Sequence, residues 1–172
     1  MTIELSKLKA RWAVTSVLAI TVMCVLWAID TRIKAASGYG ILDLEFVNTA
    51  ERVNAMTAAW ANAGVEGEMG FLMGFDYLYM AAYGFALFYG ALACREAFAR
   101  NPGRWRNGLT VAAFAPLAGA GLDVFENAFE ARMLFSGATD QIAALTYAIT
   151  LAKFALIDIG LLLAVAGLVG LF

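Results

Sequence analysis

The chain is predicted to be an all-α integral membrane protein: a four-helix bundle, with an amphipathic helix in the segment between its first and second spans. Three observations predict this. Of 172 residues, 62% are hydrophobic and only 15% charged, with a mean hydropathy of +0.74, whereas a soluble domain carries about 25% charged residues. Four segments are apolar over the roughly 20 residues needed to cross ~30 Å of hydrocarbon. The Lys and Arg residues gather at alternate ends of those segments. The whole of 1–172 reads as a single transmembrane domain.

The first span, about 12–29, contains no charge. Its apolar run exceeds the roughly 7–15 residues of a signal-peptide core, which argues for a retained helix. In the segment that follows, about 42–62, Phe46, Ala50, Val53, Met56 and Trp60 recur at helical spacing opposite Glu45, Asn48, Glu51, Arg52 and Asn54. That pattern predicts an amphipathic helix, lying on the membrane surface or packed over the mouth of the bundle. In either place it could act as a lid. The second span, about 69–94, holds one charge, Asp76. The third, about 107–135, carries Asp123, Glu126 and Asn127 in its second half, and Pro116 with Gly119 and Gly121 should bend it. The fourth, 141–172, contains Lys153 and Asp158.

Flanking charge sets an expected orientation. Lys7, Lys9 and Arg11 precede the first span, and Arg95, Arg100, Arg104 and Arg106 fill the loop between the second and third. The segment between the first two spans is acidic. By the positive-inside rule both termini and the central loop face the cytoplasm, most simply across a bacterial inner membrane. Arg104-Trp105-Arg106 reads as an interfacial anchor, and Phe71, Phe75, Tyr77 and Tyr79 as an outer aromatic belt.

Composition excludes several functions. There is no histidine, so the commonest metal ligand and the usual acid–base switch are missing, and no metal site or other cofactor is expected, a bound lipid aside. Cys24 falls mid-helix and Cys94 at a helix end, which disfavours a disulfide. With a formal net charge of −2 and no binding motif, nucleic acid is not an expected partner. The bilayer is.

The intramembrane polar residues are the candidate site. An ionisable group at the bilayer centre costs roughly 2.5–3.5 kcal/mol, so such groups usually face a protein interior or a water-filled cavity. Helical spacing places Asp123, Asn127 and Glu130 on one stripe with Glu126 beside it. At ~1.5 Å per residue, Asp123 and Lys153 both fall roughly 18 Å from the outer helix ends, Glu126 about 13 Å, Asp76 about 10 Å and Asp158 about 25 Å. Asp158 points roughly 140° away from Lys153 around its helix, so the expected ion pair is Asp123–Lys153. Glu130 and Arg132 are expected near the outer interface, free to snorkel. Four intramembrane acids (Asp76, Asp123, Glu126, Asp158) face one base, Lys153. Such a set needs protons or a cation to coexist. Asn127, Tyr79, Tyr83, Tyr147 and Thr150 can supply hydrogen bonds. Polar residues of this kind can also serve only to lock helices in register.

Four spans with both ends cytoplasmic, Asp30 closing the first, a long outer segment and Asp76 early in the second resemble the EXPERA superfamily of sigma-2-receptor-like proteins and emopamil-binding-type sterol isomerases. The resemblance covers most of the chain at the level of layout. It implies a cavity between helices in which acids, here Asp30 and Asp76, meet sterols or cationic amphiphiles. The chain departs from that family in having no histidine. Its Asp-x-x-Glu-Asn pattern looks instead like a motif of uncharacterised bacterial four-helix membrane proteins, for which no activity is implied.

The expected function is binding of an amphiphilic or cationic lipid-like ligand in an outward-opening acidic cavity. Asp76, Asp123 and Glu126 would supply charge, Asn127 and Tyr83 orientation, and Lys153 partial neutralisation. Isomerase-type acid–base chemistry is compatible with paired acids, but nothing in the sequence demands an enzyme. A proton-coupled transporter of small cations, working alone or as a homodimer, and an assembly subunit of a larger membrane complex are the alternatives.

Overall fold

The computed structural model describes residues 4–98 and 104–171. Among them the chain is all-α: α1 (Leu5–Ser37), α2 (Ile41–Glu45), α3 (Ala50–Asn62), α4 (Glu66–Phe98), α5 (Arg104–Ala112), α6 (Ala115–Ser136) and α7 (Asp140–Leu171). Four stretches, Leu5–Ser37, Glu66–Phe98, Arg106–Ser136 and Asp140–Gly170, are long and apolar enough to cross a membrane. The protein is therefore an integral membrane protein of the four-helix-bundle class its sequence predicts. Arg100 lies outside the described residues, as do the side chains of Arg104 and Trp105, two of the three expected anchor residues.

The third span is two helices, not one bent helix. Pro116 has no N–H for the Ala112 carbonyl, which an unbroken helix would require. The chain tightens instead: Phe114 N–H donates to the Val111 carbonyl at 3.0 Å, and the ladder resumes where Ala118 N–H donates to the Phe114 carbonyl, also at 3.0 Å. The break falls just before the proline, as steric exclusion by its ring favours.

The chain folds as two compact units, each drawing segments from the long helices: residues 1–21, 80–121 and 153–172 form the first, and residues 22–79 and 122–152 the second. In the first unit Leu8, Phe88, Ala91, Leu92 and Ala113 form an apolar core edged by Trp12, Tyr89, Leu117 and Leu163. Its helices approach to backbone contact at glycines. A Cβ on Gly167 would lie 2.6 Å from the Cys94 nitrogen, and one on Gly90 2.5 Å from the Ala164 Cβ. Small residues permit this approach where dispersion, not water exclusion, drives helix association. Arg95 is not in a loop as expected. It ends α4, buried, pairs with Glu96 and donates to the Thr110 hydroxyl.

The second unit has the larger core, in which Val53, Met56 and Trp60 of α3 join Val22, Leu26, Ile33, Met69, Leu72, Met73 and Met133. The segment between the first two spans is thus packed on protein through α3, and it is two helices because α2 ends at Glu45. The expected face fails at that end. Phe46 is exposed and Glu45 buried, since the chain leaves the helix between them and α3 restarts at Ala50. Thr49 precedes α3 without capping it; the Asp140 carboxylate, ninety residues on, accepts the Ala50 N–H at 2.8 Å. Asn54 Oδ1 returns the link by accepting the Ala138 N–H at 3.0 Å. Trp60 Nε1 donates to the Tyr39 carbonyl at 2.8 Å. Helices α3 and α6 each end on a glycine with positive φ, Gly64 and Gly137, the usual left-handed stop.

Candidate functional site

The second unit gathers the buried polar residues of three helices: Asp76 of α4, Asp123, Glu126, Asn127 and Glu130 of α6, and Thr146 and Thr150 of α7. On α6 they form one stripe, repeating at three- and four-residue intervals, and it continues into the core residues Met133 and Leu134. The opposite face of α6, with Val124, Phe125 and Phe135, is exposed, suited to acyl chains. Helix periodicity thus turns the acids of α6 inward.

Asn127 spends both amide protons on α4. Its Nδ2 donates to Asp76 Oδ2 at 3.0 Å and to the Met73 carbonyl at 3.2 Å. Two donors for two acceptors fix the amide orientation. Asp76 itself is only half-buried, so it forms the accessible edge of the group. Glu126 is fully buried, and the Thr150 hydroxyl donates to its Oε1 at 2.7 Å. The same hydroxyl lies 3.0 Å from the Thr146 carbonyl. One proton and two acceptors give Thr150 two settings. It can donate to an ionised Glu126, or turn to Thr146 and accept a proton from a neutral Glu126. The contact therefore survives either protonation state.

Glu130 corrects an expectation. It is fully buried at 0% exposure rather than snorkelling, while Arg132 is exposed. Glu130 lies seven residues, two turns, beyond Asp123, so the signal for it was already in the stripe. Thr146, buried one turn before Thr150, joins this group without having been expected there.

Within this unit's own segments the buried charges are acidic, and each of them is engaged in an interaction. Glu45, Asp123, Glu126 and Glu130 are buried, whereas Arg32, Lys34, Arg52 and Arg132, every basic residue of the unit, are exposed. Arg32 and Lys34 have surface partners of their own, Glu68 at 3.0 Å and Asp43 at 2.8 Å.

The other expected site residues are placed as follows. Tyr79 is half-buried against the core of the second unit. Tyr147 is half-buried there without a hydrogen bond among the described residues. Asp30 serves the fold, for its Oδ1 accepts the Ile41 N–H at 2.7 Å and so ties the end of α1 to the start of α2. Tyr83, Lys153 and Asp158 belong to the first unit. Tyr83 and Lys153 are buried, with the Lys153 ammonium 5.1 Å from the Phe154 ring centroid, and Asp158 is exposed. Cys24 and Cys94 are free thiols. Among the described residues no three acidic or cysteine side chains cluster as they would around a metal ion.

No protein-family model, curated protein or solved structure matches this chain.

Proposed function

We propose that this protein binds a cationic, lipid-like amphiphile at the acidic group of its second unit, with both termini and the central loop cytoplasmic. The observation that carries the reading is the placement of half-buried Asp76, hydrogen-bonded to Asn127, at the edge of a stripe of acids on α6. A carboxylate at such an edge attracts positive charge. An ammonium head on an apolar tail suits an intramembrane acid, since its tail matches the surrounding hydrocarbon. Half-buried Asp76 would receive the head, Asn127 would hold that carboxylate in place, and Asp123 and Glu126 would extend the negative field inward. The Lys and Arg distribution around the spans supports the orientation.

The test compares dodecylamine with dodecanol, binding to the protein in lipid nanodiscs. Dodecylamine should bind at least about tenfold tighter, a difference of about 1.4 kcal/mol, and Asp76→Asn or Glu126→Gln should erase the preference. Equal binding of amine and alcohol would overturn the reading.

The two settings of Thr150 favour a second reading, proton-coupled transport, because they let Glu126 exchange a proton without losing its partner. Proteoliposomes separate the two. Transport requires amine flux driven by a pH gradient and abolished by Glu126→Gln, whereas a binding protein gives no flux in either form.

A further inference from the structure

Asp158 presents a carboxylate on the outer surface of a helix where only hydrocarbon or another protein can meet it. Depth follows from contacts within the first unit. A Cβ on Gly90 would lie 2.5 Å from the Ala164 Cβ and 3.0 Å from Trp12 Nε1, so these three residues share one level. Trp12 directly follows Arg11 and begins the uncharged stretch of α1. Beyond Ala164, Gly167 packs on Cys94 and Gly170 on Ala97, so α7 runs alongside α4 toward charged Arg95 and Glu96. Asp158 lies six residues the other way, about 9 Å farther into the apolar layer. A Lys or Arg could span such a distance by snorkelling, but an aspartate side chain is too short.

Asp158 lies on an exposed, otherwise apolar face of α7. Ala155, Asp158, Leu162, Val165 and Val169 are all exposed, three and four residues apart, the spacing that keeps them on one side of the helix. Leu162 is 71% and Val169 75% exposed. Asp158 makes no hydrogen bond or ion pair among the described residues. Between packed helices a lone polar residue of this kind fixes partner and register.

We infer that this face of α7 docks a separate membrane helix that carries a Lys or Arg at the depth of Asp158. Charge decides the occupant. Intramembrane ionisable groups pair with one another, and an exposed carboxylate asks for a base. A second copy, joined symmetrically through α7, would set Asp158 against Asp158, a like-charge contact. Nor does a copy expose a base at this level among the described residues. Lys153 is buried, and Lys9 and Arg11 precede Trp12 at the charged edge. The inference is independent of the amphiphile reading, which rests on the second unit.

Photocross-linking of the full chain in its native membranes tests it, with benzoylphenylalanine replacing Leu162 and the adducts sequenced. The expected product is a transmembrane segment of another protein, with a Lys or Arg within one turn of the cross-linked position. Its yield should fall at least about tenfold in Asp158→Asn, while Asp158→Glu retains it. Adducts to α7 of a second copy, adducts to lipid alone, a partner segment without a base, or a yield indifferent to Asp158→Asn would each overturn the inference. Asp158→Leu, which places an apolar side chain on an exposed face of α7, should fold normally and lose the adduct, so that the loss is one of partner and not of structure.

Discussion

Asn127 and Asp76, 51 residues apart in sequence, are joined by a hydrogen bond of 3.0 Å between side chains of α6 and α4. The bond lies at the boundary between the half-buried and fully buried parts of the acidic group. It couples the residue that would meet a ligand to the helix that holds the other acids.

That coupling is measurable. Asn127→Ala removes two hydrogen bonds from a buried position and should lower stability by about 1–3 kcal/mol. A double-mutant cycle with Asp76→Ala, read by unfolding in mixed micelles, should return a pair energy of about 0.6–1.7 kcal/mol. A zero pair energy would mean that the contact contributes nothing.

Thr150→Val keeps shape and removes the hydroxyl next to Glu126 and the Thr146 carbonyl. It should cost about 1–2 kcal/mol alone. In a Glu126→Leu background, which leaves no carboxylate to satisfy, the cost should shrink by more than half. Equal costs in both backgrounds would show that the hydroxyl does not serve Glu126.

The start of α2 should be sensitive to acid. Burial works to raise the Asp43 carboxyl, but the Gly40 N–H and the Lys34 ammonium outweigh it and hold it below its ordinary range. A carboxyl depressed in the folded state contributes stability above its unfolded value, about pH 3.9. That contribution is lost as pH falls through the lower folded value. The protection factor of the Gly40 amide, which donates to Asp43 at 2.8 Å, should be flat near neutrality and drop below about pH 4. In Asp43→Asn the drop should vanish.

Glycine positions separate tight from open packing. In Gly167→Ala the new methyl would meet the Cys94 backbone nitrogen at 2.6 Å, and the expected loss is about 1–3 kcal/mol. At Gly74 a Cβ meets nothing within 4 Å. Gly74→Ala should gain up to about 1 kcal/mol from helix propensity. Thermal unfolding of the two variants should move in opposite directions.

The spans were legible because hydrocarbon thickness and backbone hydrogen bonding permit few solutions for apolar runs of this length. Periodicity likewise revealed the inward stripe of Asp123, Asn127 and Glu130. Two kinds of feature were not legible. Counting residues from assumed helix ends puts Glu130 at the interface, but burial depends on what packs over a helix end, and here α3 shares the core with Met133 and Leu134. The capping of α3 by Asp140 across ninety residues is a tertiary contact with no local signature. Thr49, the residue directly before the helix, makes no capping bond. The break before Pro116 was half legible: the proline announced a disturbance, and only the backbone showed a full stop.

The paired links Ala50–Asp140 and Asn54–Ala138 bear on how the segment between the first two spans can move. They stitch the start of α3 to the turn joining α6 and α7, while Trp60 pins the far end of α3 to Tyr39. A segment fastened at both ends cannot shift alone. Displacing α3 would break or drag the turn between α6 and α7, so the amides of Ala50 and Ala138 should open to exchange together.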